Sequence, residues 1–281
     1  MSRLPYLIKR NKKEEGQAVL ILLLAIAVIL TVGLSLVSRS ITDVKISQQS
    51  QESARALWVA QAGLEKAIRS NSAVSGTLNG VNYVVQRNDL GLSAEYVYPS
   101  KVKANEPITV WFVGHDSDGN IDTSVSYNGT FRFYWGESGE SASSSTTPAL
   151  EVTLIYHDGS FKIKRYVYDP NSTRRSSQTN FSANGSCSDY EFGGQNFAFC
   201  SPTITPPSGT KYMVKARLLF NATAKPVGLR SSGNIPVQGS CFPVTATIEE
   251  SGVTKRYEEC QLYDSTPAIF DNLLYSGGGI E

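Results

Sequence analysis

The chain has 281 residues, with 26 Lys and Arg against 25 Asp and Glu, a net charge of +1, and 41% hydrophobic residues. A balance so close to neutral, with no basic stripe interleaved with aromatics, excludes nucleic acid bound directly through a basic patch. The hydrophobic share is raised by one segment, because beyond residue 70 the chain is rich in Ser, Thr, Asn, Gly and Tyr.

Residues 1–16 carry five basic side chains, Arg3, Lys9, Arg10, Lys12 and Lys13, and end in Glu14, Glu15 and Gly16. From Gly16 to Ser38 there is no Asp, Glu, Lys, Arg or His over 23 residues. As a helix this stretch spans about 35 Å, enough to cross a hydrocarbon core of about 30 Å. Positive charge lies in front of it, whereas Arg39 and Lys45 behind it are mixed with Asp43 and Glu52. That bias predicts a single-pass membrane protein with its N-terminus cytoplasmic and its C-terminal domain extracytoplasmic. A cleaved secretory signal fits less well. Its apolar run is usually about 7–15 residues and ends in an A-x-A-like site, whereas here Ala25-Ile26-Ala27 sits in the middle of the run.

Residues 39–70 contain no Pro and many good helix formers, so the membrane segment (17–38) is expected to continue as an amphipathic helix (39–70). Leu57, Leu64 and Ile68, with Ala54, Gln61 and Ala67, recur at helical spacing on one flank. No heptad of large apolar residues persists, so the flank suits packing on a domain or among helices better than a coiled coil. From Gln17 to Ser70 such a helix would be about 80 Å long.

A basic leader ending in glycine, an uncharged run of about twenty residues and an Ala-rich continuation together resemble a type IV prepilin N-terminus. Within that superfamily ALWVAQAGLEKAI, Ala56 to Ile68, is similar to the A-x-x-A-E-A-G signature of PilX-type minor pilins and related pseudopilins. The resemblance covers residues 12–70. It implies cutting between Gly16 and Gln17 by a prepilin peptidase on the cytoplasmic side, methylation of the new amino terminus, and other pilins as partners through the helix. Two positions depart from the major-pilin pattern. Gln17 stands where an aromatic is usual, and Ile21, the fifth residue after the cut, where Glu is usual.

Residues 71–281 are expected to form an extracytoplasmic β domain, and from Val81 onward the periodicity changes from helical to two. Ile108, Val110 and Phe112 alternate with Thr109, Trp111 and Val113, and Phe131, Phe133 and Trp135 with Arg132 and Tyr134. In ALEVTLIYHDGSFKIKRYVY, Leu150, Val152, Leu154 and Tyr156 share one face, and Phe161, Ile163 and Val167 share a face beyond an Asp158-Gly159 turn expected to be type I′. A second hairpin is expected around Ser251-Gly252. Short strands, polar loops and no alternating helices predict an antiparallel β-rich, sandwich-like domain, so the whole chain reads as α+β. The polar stretch 170–186 is expected to be a loop, or else a boundary between subdomains.

Four cysteines, Cys187, Cys200, Cys241 and Cys260, lie on the side expected to be oxidising and read as two disulfides. Three pairings are possible; proximity favours Cys187 with Cys200 and Cys241 with Cys260. Asp116, Asp118, Asn120 and Asp122 fall at every second position of GHDSDGNID. Side-chain oxygens so spaced suit Ca2+, although the stretch departs from an EF-hand loop and an Asp/Asn/Gly turn accounts for the same residues. No other cofactor is implied. His115 and His157 each precede an Asp at a strand end, and Ser138 lacks a full nucleophile-elbow motif, so an enzyme is not expected. Two functional readings follow. The first is a minor pilin or pseudopilin of a type IV pilus or of a related secretion or DNA-uptake filament, exposed at the cell surface and set at the tip by its missing Glu. The second is a signal-anchored adhesin or carbohydrate-binding β-sandwich.

Overall fold

The computed structural model describes residues 14–116 and 118–265, so the leader residues 1–13 lie outside it. Helix α1, Glu14–Ser70, runs for 57 residues. Among the described residues seventeen strands and one short helix follow. In chain order they are β1 (Val74–Leu78), β2 (Val81–Val85), β3 (Asn88–Leu90), β4 (Glu95–Val97), β5 (Pro107–Trp111), β6 (Val113–His115), β7 (Ile121–Ser126), β8 (Phe131–Glu137), β9 (Ala149–Asp158) and β10 (Ser160–Asp169). Then come α2 (Ser172–Ser177), β11 (Ser182–Ala183), β12 (Glu191–Phe192), β13 (Gln195–Cys200), β14 (Thr210–Leu219), β15 (Val227–Ser231), β16 (Gly239–Thr247) and β17 (Thr254–Leu262). The fold is α+β, a long apolar N-terminal helix followed by an antiparallel β-rich region.

The chain forms two compact units. The first takes the helix as far as Glu65 together with 75–84 and 244–256. Its sheet consists of most of β1 and β2 and the adjoining parts of β16 and β17. β1 and β2 are joined by Asn79-Gly80, both at positive φ (49° and 72°), the backbone a two-residue hairpin loop needs. On the helix, Ala56, Val59, Ala60 and Leu64 are buried, as are Val81, Val244 and Ala246 on the strands and Ile248 just after β16. Gly63 belongs to the same helical stripe, and a Cβ there would come within 2.5 Å of the Tyr83 ring. The Arg55 guanidinium donates to the Asn79 carbonyl in the hairpin loop.

The inward flank of the helix differs in part from the expected one. Leu64 and Ala67 are buried as expected, whereas Leu57 is 41% exposed and Ala54 and Gln61 are also exposed. The small residues Ala56, Ala60 and Gly63 face inward because they let backbone and ring approach closely.

The second unit holds 66–74, 85–243 and 257 onward. Here α1 ends in a Schellman motif. Asn71 takes a left-handed φ of 45°, its N–H bonds to the Ile68 carbonyl at 3.1 Å, and the Ser72 N–H to Ala67 at 3.1 Å. Two five-stranded sheets, β11-β10-β9-β14-β5 and β12-β13-β8-β15-β4, make up most of the unit. All named pairings within them are antiparallel except β10 with β11. One core takes Ile108, Val110, Leu150, Val152, Leu154 and Val214 from the first sheet and Phe131, Phe133, Trp135 and Leu229 from the second. The arrangement is a β-sandwich.

Several expectations about the strands need correction. The 108–113 run is interrupted at Phe112, which separates β5 from β6. The β9–β10 register centres on Gly159, with Asp158 opposite Ser160, so Gly159 alone takes positive φ (74°) and the turn is not type I′. The stretch 170–186 is more than a loop, because it contains α2 and β11. Asn171 caps α2 by accepting from the Arg174 N–H at 3.0 Å. The Arg174 side chain, 6% exposed, makes two 2.7 Å bonds to Asp169 and lies 4.1 Å from the Phe220 ring. That buried pair anchors a segment too polar to make a core of its own.

Candidate functional site

The first turns of α1 are the most exposed apolar surface among the described residues. Leu20 is 66% exposed, Ile21 67% and Leu34 69%, with nothing packed on them. One helix, counted from Val19, is long and apolar enough to cross a membrane. A surface of this kind has to be covered by lipid or by other apolar helices. Gly16 and Gln17 lie within the described helix, and Gln17 is exposed. Farther along the helix, Trp58 stands 71% exposed, on the side opposite Ala60 and Gly63.

Cys187 is bonded to Cys200 and Cys241 to Cys260. The second bond ties β16 to β17, the two arms of the hairpin whose loop contains Gly252 at φ 71°. The Glu258 carboxylate approaches both of these sulfurs, but each sulfur is already committed to the other. A cleft of about 310 Å³ opens beside that disulfide, bordered by Tyr98, Lys101, Gln195 and Glu258.

Asp116, Asp118, Asn120 and Asp122 occupy the exposed connection between β6 and β7 and the start of β7. Asp116 Oδ1 accepts from the Asp118 and Asn120 N–H groups at 2.9 Å, and Oδ2 from the Asn120 side chain at 3.2 Å. Asp122 Oδ1 accepts from the Ser124 N–H and hydroxyl. Bonds from Asn120 and Ser124 hold the Asp116 and Asp122 carboxyls, respectively, below the usual range. A depressed folded pKa means that the turn gains stability above the ordinary carboxylate pKa and loses it as pH falls through the folded value.

His115 is stacked on Tyr263 at 3.9 Å and meets the edge of Trp111 at 4.7 Å. Burial pushes its pKa down against the opposing pull of Asp116. His157 lies edge-on to Phe161, and Ser138 is in an exposed turn. Sequence reasoning missed the outer-face cluster in which Glu151 pairs with both Arg165 (3.0 Å) and Arg217. Nothing in the linear sequence marks these three as neighbours; β-register brings them together. No protein-family model, curated protein or solved structure matches the chain.

Proposed function

We propose that the chain is a minor pilin or pseudopilin, a structural and assembly subunit of a type IV pilus or related filament. One observation supports this reading above the others. A single unbroken helix, Glu14–Ser70, leaves its apolar first half uncovered and buries an Ala/Gly stripe of its second half. In this reading the first half resides in the membrane before assembly and packs among the helices of other pilins afterwards, while the β region stays extracytoplasmic. A prepilin peptidase would cut between Gly16 and Gln17.

The subunit is placed at the filament tip by what Ile21 lacks. Where pilins carry a carboxylate five residues after the cut, the resemblance implies that it neutralises a neighbouring subunit's amino terminus inside the apolar filament core. An unpaired charge there is costly. Ile21 offers no counter-charge, and a subunit added first has no neighbour beyond it that requires one. Immunogold labelling of sheared filaments tests this. Gold at one end is the expected result. Regular decoration along the shaft contradicts the tip placement, and absence from the filament fraction contradicts the filament reading and favours a signal-anchored adhesin.

A further inference from the structure

Strand β10 has β9 on one edge and, on the other, a neighbour at one end only. β11 meets it at Tyr168 and Asp169, and among the described residues no strand lies along that edge from Ser160 to Val167. Eight residues make about 27 Å of edge. Alternate residues there turn their N–H and C=O groups away from β9, so the edge presents a row of backbone donors and acceptors. The first part of the stretch is also open on both faces, since Ser160, Phe161, Lys162, Lys164 and Arg165 are exposed and Ile163 is half-buried.

The two faces of this stretch differ in chemistry. One carries Phe161, which is 68% exposed, then Ile163 and Val167, with Arg165 held by Glu151 at 3.0 Å. The other carries Lys162 and Lys164, in line with the core residue Tyr168 and with Tyr166 packed against that core. Lys162 lies 3.4 Å from the exposed Asp158, whereas Lys164 rests 5.5 Å from the Tyr166 ring and forms no ion pair among the described residues. From 160 to 167 the sequence reads SFKIKRYV, with no Asp or Glu. Pairing of this edge with a second copy of itself sets cations against cations, which is how lysines protect an edge from its own kind. A strand that alternates acidic and apolar residues meets the opposite condition, because its side chains fall on the same two faces.

We propose that the free edge of β10 takes up an extended segment of another protein by strand addition, with apolar residues of that segment beside Phe161 and Ile163 and carboxylates beside Lys162 and Lys164. Main-chain bonds along the edge supply affinity, and the contrast between the two faces supplies specificity. The contact involves neither α1 nor the helices proposed to pack on it, so it stands apart from the filament reading.

The test uses the full chain in detergent and an acetylated octapeptide of alternating Val and Glu, with backbone amide exchange read by mass spectrometry. The expected result is slowed exchange within 160–167 and little change elsewhere. N-methylation of every peptide residue removes its donors and should abolish that protection. Lys164→Glu, at an exposed position, should weaken peptide binding roughly fivefold, as loss of an exposed ion pair does. No protection within 160–167, or equal protection by the N-methylated peptide or by a Val/Lys peptide, would overturn the proposal. Protection that rises with protein concentration when no peptide is present would overturn it in favour of a second copy, and affinity unchanged by Lys164→Glu would overturn the acidic character of the partner.

Discussion

At the residue scale, the buried pair of Asp169 and Arg174 is the most consequential polar contact in the sandwich. Both oxygens of Asp169 accept from Arg174, whose guanidinium also donates to the Ser145 and Thr147 carbonyls. Arg174→Ala strands a carboxylate that is 0% exposed and is expected to cost about 3–5 kcal/mol. Arg174→Lys should recover only part of that, since an ammonium cannot form the forked contact. Denaturant unfolding measured by tyrosine and tryptophan fluorescence checks both. The disulfides give a second expectation. Removing either bond, which close sequence separations of 13 and 19 residues, should cost about 3 kcal/mol in the chain-entropy model. Thermal unfolding of the Cys→Ala pairs measures the loss, and non-reducing peptide mapping checks the pairing.

At the element scale, the two sides of α1 should respond in opposite ways. Gly63→Val drives a side chain into the Tyr83 ring and is expected to destabilise the first unit by about 1–3 kcal/mol. Trp58→Ala removes an exposed side chain and should change stability by less than about 0.5 kcal/mol. If the exposed side meets other pilin helices, the Trp58 variant should fold normally and yet be depleted from the filament fraction. Equal recovery of variant and wild type in that fraction would show that Trp58 faces no partner there.

The elements also differ in how plainly the sequence announces them. The apolar half of α1 is legible because 23 uncharged residues permit little else. Which stripe of the second half is buried is less legible, since Ala56, Ala60 and Gly63 carry little hydrophobic signal and are chosen for close approach. The Asn79-Gly80 hairpin is marked by the strongest short turn signal in the chain, although the sequence reading passed over it. Helix α2 was beyond reach. Six polar residues have negligible helical tendency alone, and this helix is fixed by Arg174 reaching Asp169, Ser145, Thr147 and Phe220. The outer-face cluster of Glu151, Arg165 and Arg217 escaped for the same reason, since strand register across β9, β10 and β14 brings it together.

At the scale of the whole molecule, the continuous helix and the β region divide the work that the proposed role requires. In that role the apolar half-helix would supply the membrane anchor and the filament contact, and a disulfide-bonded β region would suit an oxidising exterior. Removing residues 1–16 takes away five basic and two acidic side chains, so the net charge falls from +1 to −2. The measurement that tests the central claim most directly is the intact mass of the protein purified from the membrane fraction. The expected species begins at Gln17 with one methyl group on its amino terminus, and replacement of Gly16 by a bulky residue leaves the precursor uncut. A mass that retains Met1 through Gly16, identical in processing for wild type and the Gly16 variant, would contradict the prepilin reading and leave a plain signal-anchored protein.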